Sequence, residues 1–210
     1  MSDQPTPQVS GTVSARAEVH ALDQAVFDAV ADTPTPGLDR FLVGVSRSAD
    51  RSKLWLVTAA ALAALGGERG RRAASTGLLA IALASAVTNL GLKPLAGRRR
   101  PVGSNGHQVP DSRRVRRPVS ASFPSGHAAS AFAFASAAGE AAPAAWLPLH
   151  LAAALVGYSR VHTGVHYPGD DGVGAVVGAL CGWTVRRWAG PGRTGSAGEG
   201  RTSRRAGRTP

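Results

Sequence analysis

Apolar segments separated by short charged connectors are the feature of this sequence that most limits its possible folds. They cover residues 53–67, 73–92, 128–139, 141–158 and 172–188. The segment 73–92 contains no charged residue and has about the length of one membrane span. Its few Ser, Thr and Asn side chains can form hydrogen bonds within a helix or across a helix contact. The pattern predicts an all-α fold, a compact helical bundle with about five transmembrane helices. The buried core of a soluble all-helical protein is the alternative.

The rest of the chain divides into amphipathic helices and polar tails. Residues 18–52 contain two pieces, 20–32 and 38–50, whose apolar residues recur at helical spacing. We expect these N-terminal helices to lie at a membrane surface or to pack on the core. Residues 1–17 and 190–210 are rich in Gly, Pro, Ser, Thr and Arg, and we expect disorder there because they bury too little apolar surface. A membrane-embedded domain would then cover residues 53–189.

The formal charge of +11 is compatible with a nucleic acid or with anionic lipid headgroups as partner. The chain has no helix-turn-helix pattern, zinc finger or aromatic RNA-binding signature, so we expect no nucleic-acid partner. Four arginines of one loop can attract an anionic headgroup or simply be solvated: Arg113, Arg114, Arg116 and Arg117.

The connector 159–170 places an arginine, two histidines and a carboxylate between two apolar segments. One interpretation is a phosphate site in which Arg160 holds the anion, His166 attacks phosphorus and Asp170 orients the histidine. A solvated loop is the simpler alternative. The spacing of His162, His166 and Asp170 by fours would also suit a metal on one helix face, but Gly164, Pro168 and Gly169 interrupt that helix.

Two further clusters lie at the ends of apolar segments. A basic run extends from Lys93 to Arg100, and the sequence Pro-Ser-Gly-His ends at His127. Ser125 and Gly126 would open a helix, where free backbone N–H groups favour an anion. If each apolar segment crosses once, all three clusters reach the same end of the bundle. Lipid snorkelling of the basic run and an ordinary helix cap with an unrelated histidine remain as alternatives.

Together the three clusters resemble the type 2 phosphatidic acid phosphatase superfamily, which also contains vanadium haloperoxidases and bacterial acid phosphatases. Its signatures are Lys, six residues, Arg-Pro; then Pro-Ser-Gly-His; then Ser-Arg, five residues, His, three residues, Asp. They correspond here to Lys93–Arg100–Pro101, Pro124–His127 and Ser159–Arg160–His166–Asp170. The signatures span 93–170, and the helical pattern extends the likeness to about 53–188.

The resemblance implies a role for each signature residue. His166 would be the nucleophile that forms a phosphohistidine, Asp170 would orient it, and His127 would be the general acid. The phosphoryl oxygens would be held by the other matched residues, which are Lys93, Arg100, Ser125, Gly126 and Arg160. The family's phosphatases need no metal, so we expect no metal and no cofactor. Haloperoxidase relatives are usually larger and soluble, which makes that activity the less favoured one.

The resemblance implies an integral, multi-pass phosphatase of a bacterial cell membrane that acts on a lipid phosphate. Phosphatidic acid, phosphatidylglycerol phosphate, a polyprenyl diphosphate and a polyprenyl-linked sugar phosphate all remain candidate substrates. Arginines at 69, 71, 72, 186 and 187 would lie opposite the site, so the positive-inside rule favours an active site facing out of the cytoplasm. The alternative function is a non-catalytic membrane protein that binds anionic lipids through its basic face.

Overall fold

The structure, a computed structural model, describes residues 15–102 and 109–190. Disorder was expected over residues 1–17 and 190–210, and most of both segments lies outside the described residues. Residues 15–17 are described and belong to α1, so the expectation was wrong for them. In the described part of the chain there are helices and no strands, which confirms the all-α prediction. The helices are α1 (Ala15–Asp32), α2 (Pro36–Ser48), α3 (Lys53–Leu65), α4 (Gly67–Ala86), α5 (Lys93–Ala96), α6 (Gly126–Ala141), α7 (Trp146–His162) and α8 (Pro168–Ala189). A widened turn, Val87–Leu92, joins α4 to α5 without a break.

Helix α6 forms the centre of the bundle and packs against α4, α7 and α8. Its buried face is almost entirely alanine, so neighbouring backbones can approach closely. The contact with α8 depends on glycine: a Cβ added to Gly182 would lie 2.8 Å from the carbonyl oxygen of Ala133, and one added to Gly178 would overlap that of Ala129. Small residues on both helices therefore allow α6 and α8 to lie close together, and this close contact positions the first turn of α6 beside the first turn of α8.

We expect Gly178→Ala to destabilise the protein by about 1–3 kcal/mol, because the added methyl group forces two packed backbones apart. Gly172→Ala is the matched control on the same helix, since a Cβ at Gly172 meets no atom within 4 Å. Thermal unfolding of the detergent-purified protein measures both. Equal melting temperatures for the two variants would contradict the close α6–α8 contact.

Large apolar side chains point outward on the helices that surround α6. They lie on α3, α4, α7 and α8 and include Leu56, Val57, Leu79, Leu147, Leu151, Val176, Leu180 and Trp183. By length and composition, one helix in the described part of the chain, the 30-residue unit Gly67–Ala96, is suited to crossing a membrane. Helices α3, α6 and α7 have 13, 16 and 17 residues, so about five spans stays a prediction.

Two local expectations differ from the structure. The charged residues 68–72 were expected to form a turn, but they lie in the first turns of α4. Gly67, with φ of +57°, reverses the chain by itself, and this frees the charged residues to join the helix. The connector 159–170 is also partly helical: Ser159–His162 ends α7, and Pro168 begins α8.

A buried ion pair attaches the N-terminal helices to the loop before α6. Arg113 is 1% exposed and donates from Nε to Asp39 Oδ1 at 2.9 Å. Its other nitrogens donate to the carbonyl oxygens of Val30 and Thr33 at the end of α1. The sequence analysis expected Arg113 to contact a headgroup or to be solvated, and both expectations were wrong. The sequence did not indicate its true partner because that carboxylate lies 74 residues away. This pair holds α1 and α2 over the end of the bundle where the sequence clusters meet.

Candidate active site

The structure brings the three sequence clusters together at one end of the bundle. Lys93 begins α5, and a Cβ placed on Gly126 would lie 3.5 Å from its Nζ. The backbone N–H of Ser125 donates to the carbonyl oxygen of Asp170 at 2.9 Å. Arg100 Nη1 lies 3.4 Å from His166 Nε2. Residues separated by up to about 75 positions in sequence therefore line one site, as the crossing count predicts.

His166 lies in the turn between α7 and α8 and is 2% exposed. Its backbone N–H donates to the carbonyl oxygen of Arg160, which fixes the turn. Its Nδ1 is 3.5 Å from Asp170 Oδ2, and its Nε2 faces the guanidinium of Arg100. A guanidinium only donates, so the tautomer that fits both neighbours carries its hydrogen on Nδ1. Burial lowers the pKa of His166 to about 4, which leaves a neutral imidazole with Nε2 unprotonated at neutral pH.

Asp170 is fully buried at the start of α8 and accepts hydrogen bonds on both oxygens. Arg98 Nη1 donates to Oδ1 at 2.8 Å, while the backbone N–H of Tyr167 and the hydroxyl of Ser122 donate to Oδ2. These donors stabilise the carboxylate and aim it at His166. The orientation of Asp170 therefore depends on Arg98 and Ser122, which the sequence analysis did not identify.

Arg98 is held in turn by a second carboxylate, which comes from α1. Asp23 Oδ2 accepts from Arg98 Nη2 at 2.7 Å, and Asp23 Oδ1 accepts from the backbone N–H of Gly169 at 2.7 Å. The guanidinium of Arg98 also lies 4.4 Å from the ring centroid of Tyr167. An amphipathic helix that was expected to lie at a membrane surface or to pack on the core thus supplies a buried carboxylate that supports Asp170 through Arg98.

Arg160 is 1% exposed and presents two kinds of donor. Its Nη1 donates to Ser46 Oγ at 2.7 Å and lies 3.4 Å from Asp50 Oδ1. Its Nε and Nη2 are buried and have no hydrogen-bond partner among the described residues. Ser46 therefore anchors one edge of the guanidinium, and the remaining edge is available to an anion.

The first turn of α6 completes the site. Ser125 is the N-cap, and its Oγ accepts from the backbone N–H of Ala128 at 3.3 Å. Gly126 and His127 follow it, which places helical N–H groups and an imidazole beside Lys93 and Arg160. His127 Nε2 lies 3.1 Å from Asp50 Oδ1. Asp50, from the link between α2 and α3, is another contact that sequence analysis missed.

Several histidines lie away from this site. His162 Nε2 is 3.0 Å from Asp39 Oδ1, within the buried ion-pair cluster of Arg113. His150 stacks on Trp146, with 4.2 Å between the ring centroids. The described residues contain no group of three or more His, Cys, Asp or Glu side chains placed to hold a metal ion. Because α7 ends at His162, the four-residue spacing of His162, His166 and Asp170 does not place them on one helix face.

Comparison with known sequences is consistent with this geometry. The sequence model of the PAP2 superfamily matches residues 74–192, more than half of the chain. The chain belongs to the PAP2 superfamily. The matched region of this PAP2 chain contains every signature residue named above, but it excludes α1–α3 and with them Asp23, Ser46 and Asp50.

Individual relatives of the PAP2 chain are phosphatases by name. A lipid A 4'-phosphatase of Bacteroides thetaiotaomicron is 34% identical over 110 residues, which are 50% of this chain and 48% of that protein. The chain thus spans about half the length of this curated relative. The crystal structure of Aquifex aeolicus LpxE superposes with a TM-score of 0.62 at 28% identity, over 78% of this chain and 94% of that one.

A second solved structure shares the fold. A transmembrane PAP2-type phosphatidylglycerolphosphate phosphatase from Bacillus subtilis has a TM-score of 0.62 and 24% identity. The likeness covers 82% of this PAP2 chain and 86% of that one.

Proposed function

We propose that this protein is a bacterial membrane phosphatase that hydrolyses a lipid phosphate through a phosphohistidine on His166. The observation that supports this best is the setting of His166, a buried neutral imidazole between the carboxylate of Asp170 and the guanidinium of Arg100. An imidazole with Nδ1–H on a carboxylate and Nε2 unprotonated is prepared for nucleophilic attack. The phosphatase domain would cover residues 53–189.

In the first step, Nε2 of His166 attacks phosphorus and the bond to the leaving oxygen breaks. Asp170 stabilises the positive charge that develops on the imidazole, as the carboxylate of a catalytic triad does. The unpartnered Nε and Nη2 of Arg160, together with Arg100 and Lys93, neutralise the phosphoryl oxygens. Ser125 and the N–H of Gly126 contribute neutral donors at the helix start.

His127 would protonate the leaving oxygen as the bond to phosphorus breaks. It is the second imidazole at the site, and its Nε2 lies against Asp50. In the second step the neutral His127 takes a proton from water, which attacks phosphorus and releases His166. Each step moves one proton, so no metal or cofactor is required by the residues present.

The membrane location is supported by the distribution of apolar side chains. Alanine and glycine fill the centre of the bundle, whereas Leu, Val and Trp cover the outside of α3, α4, α7 and α8. Exposed apolar surface of this extent marks an interaction with a lipid phase or a partner. A bundle embedded there would hold the site at one end, where a lipid headgroup can enter from the side.

The phosphate site itself fits several lipid phosphates. Phosphatidic acid, phosphatidylglycerol phosphate, polyprenyl diphosphates and polyprenyl-linked sugar phosphates all present the same terminal phosphoryl group. The end of α8 opposite the site carries Arg186 and Arg187, and the first turns of α4 add further arginines. The positive-inside rule then favours an extracytoplasmic active site.

The imidazole of His166 is expected to stay neutral until the pH falls to about 4, because burial lowers its pKa from 6.5 to about 4. The unfolded chain binds this proton near pH 6.5, so the folded state should lose stability as the pH falls from 6.5 towards 4. Histidine-selective NMR titration measures the midpoint, with His166→Ala identifying the resonance. A midpoint near 6.5 would contradict the buried neutral imidazole.

The function is tested by phosphate release from a panel of lipid phosphates with a chelator present. We expect wild-type protein to release phosphate from at least one of them and the chelator to have no effect. Activity lost on chelation would require a metal mechanism. Lipid binding without any release, by protein shown to be folded, would favour the non-catalytic lipid-binding alternative.

A further inference from the structure

Asp50 places a carboxylate against the imidazole proposed as the general acid. Its Oδ1 lies 3.1 Å from His127 Nε2 and 3.4 Å from Arg160 Nη1. The hydrogen bond with His127 and the nearby positive charge of Arg160 hold the pKa of Asp50 below its usual range. Asp50 is therefore ionised at neutral pH, and its Oδ1 can accept a hydrogen bond from Nε2–H of His127.

The backbone that carries Asp50 is held in an unusual conformation. The next two residues, Arg51 and Ser52, have φ of 55° and 58°, in the left-handed region that non-glycine residues seldom occupy. Such a conformation is unfavourable for a residue with a side chain and persists only where its surroundings require it. Here the two residues turn the chain sharply between α2 and α3, and Asp50 occupies the start of that turn.

The charged groups that face His127 differ in sign. Burial lowers the pKa of His127, and the positive charges of Arg160 and Lys93 lower it further. Asp50 opposes this lowering through its hydrogen bond and its negative charge. A general acid must carry its proton before reaction, so without Asp50 both burial and the two cations would act unopposed against protonation of His127.

We propose that Asp50 is a positioning residue for His127, fixing its tautomer and favouring the protonated form that serves the leaving oxygen. This inference rests on the proposed phosphatase function. With Nε2–H donating to Asp50, Nδ1 carries the proton that reacts, since this nitrogen bonds no other residue in the described part of the chain. Asp50 would act on His127 as Asp170 acts on His166, so each of the two imidazoles has its own carboxylate.

The proton balance of the step is complete. As the bond from His166 Nε2 to phosphorus forms and the phosphorus–oxygen bond breaks, the proton on His127 Nδ1 passes to the leaving oxygen. His127 becomes neutral while Nε2–H still donates to Asp50. In the second step a water proton returns to Nδ1 as the water oxygen bonds to phosphorus, and His166 leaves with its electron pair.

The test compares Asp50→Asn with wild type on two soluble substrates, an alkyl phosphate and p-nitrophenyl phosphate. An alkoxide needs a proton to leave, whereas nitrophenolate leaves without one. We expect kcat/KM on the alkyl phosphate, which reports the first step, to fall on the order of 100-fold. On the nitrophenyl ester kcat/KM should change by less than about threefold. In the pH–rate profile for the alkyl phosphate, the basic limb should move about one pH unit lower. This shift is at the lower end of the range for loss of a neighbouring charge, because the Asp50 side chain is 43% exposed.

Asp111→Asn is the matched control. Asp111 is an exposed loop carboxylate that pairs with Arg114 and contacts none of the site residues. Asp50→Glu should recover part of the alkyl phosphate activity, because it restores the charge. An equal loss on both substrates, or a lower KM with an unchanged pH profile, would overturn the proposal. Those results would give Asp50 a structural role, or a role as a competitor of the substrate phosphate.

The failure of this inference is distinguishable from failure of the proposed function. Wild-type activity that disappears in His166→Ala but is unaffected by Asp50→Asn would refute the role of Asp50 alone. Absence of phosphate release by the wild type from every substrate would refute both.

Discussion

Replacing His166 with alanine is expected to lower kcat for phosphate release by about 10⁵–10⁶, the loss seen when a catalytic nucleophile is removed. No other neutral nucleophile in the described part of the chain faces both Asp170 and the phosphate-binding arginines. The remaining cations would still bind the lipid phosphate, so binding should persist while turnover stops. Phosphate release and lipid binding should be measured on the same preparation to separate these effects.

His150→Ala is the matched control for this change. His150 lies on α7 and stacks on Trp146, away from the site, so its loss should leave kcat within about twofold. If the reaction is stopped during turnover of a substrate that carries a radiolabelled phosphoryl group, the wild-type protein should carry an acid-labile label. His166→Ala should carry none. A residual rate within tenfold of wild type in His166→Ala would exclude His166 as the nucleophile.

Asp170→Asn is expected to lower kcat by about 10³–10⁴, comparable to the loss of the orienting carboxylate in a catalytic triad. The amide keeps the shape of the carboxylate but removes its charge, and its NH₂ group can face His166 Nδ1. The imidazole would then place its hydrogen on Nε2, the atom that must attack phosphorus. Binding of substrate should change much less, because Arg160 and Arg100 keep their own contacts.

The tautomer can be measured directly. Nitrogen-15 chemical shifts of His166 should report hydrogen on Nδ1 in wild type and on Nε2 in Asp170→Asn. Asp111→Asn, which changes an exposed carboxylate of the loop before α6, should alter neither the shifts nor kcat. A loss of activity in Asp170→Asn without a change of tautomer would assign Asp170 a purely electrostatic effect.

The sequence was sufficient to predict which motif residues meet, because their spacing and the alternation of apolar segments carry that information. Lys93, His127 and His166 lie at helix ends, and α6 and α7 together carry the chain away from that end of the bundle and back to it. The roles of these residues remain predictions, whereas their proximity is a property of the fold. Periodicity also located every long helix to within a few residues, except that α4 begins before the charged residues 68–72.

The supporting carboxylates could not be predicted in the same way. Asp23 pairs with Arg98 across 75 residues, and Asp50 meets His127 across 77. In sequence, Asp23 is one acid among several on the polar face of an amphipathic helix, and Asp50 follows another such helix. No local pattern distinguishes a carboxylate that tertiary packing pairs with a distant arginine or histidine from one that is solvated. A run of three arginines likewise gives no indication that Arg98 is the one that contacts Asp170.

The contacts from Asp23 through Arg98 to Asp170 extend the candidate site beyond the residues that the family model matches. A protein trimmed to residues 74–192 would retain every signature residue and the whole match to its superfamily. It would nevertheless lose the carboxylate that braces Arg98, the serine that anchors Arg160 and the carboxylate beside His127. The limits of the family model therefore leave out side chains of this chain that contact the proposed catalytic and phosphate-binding residues.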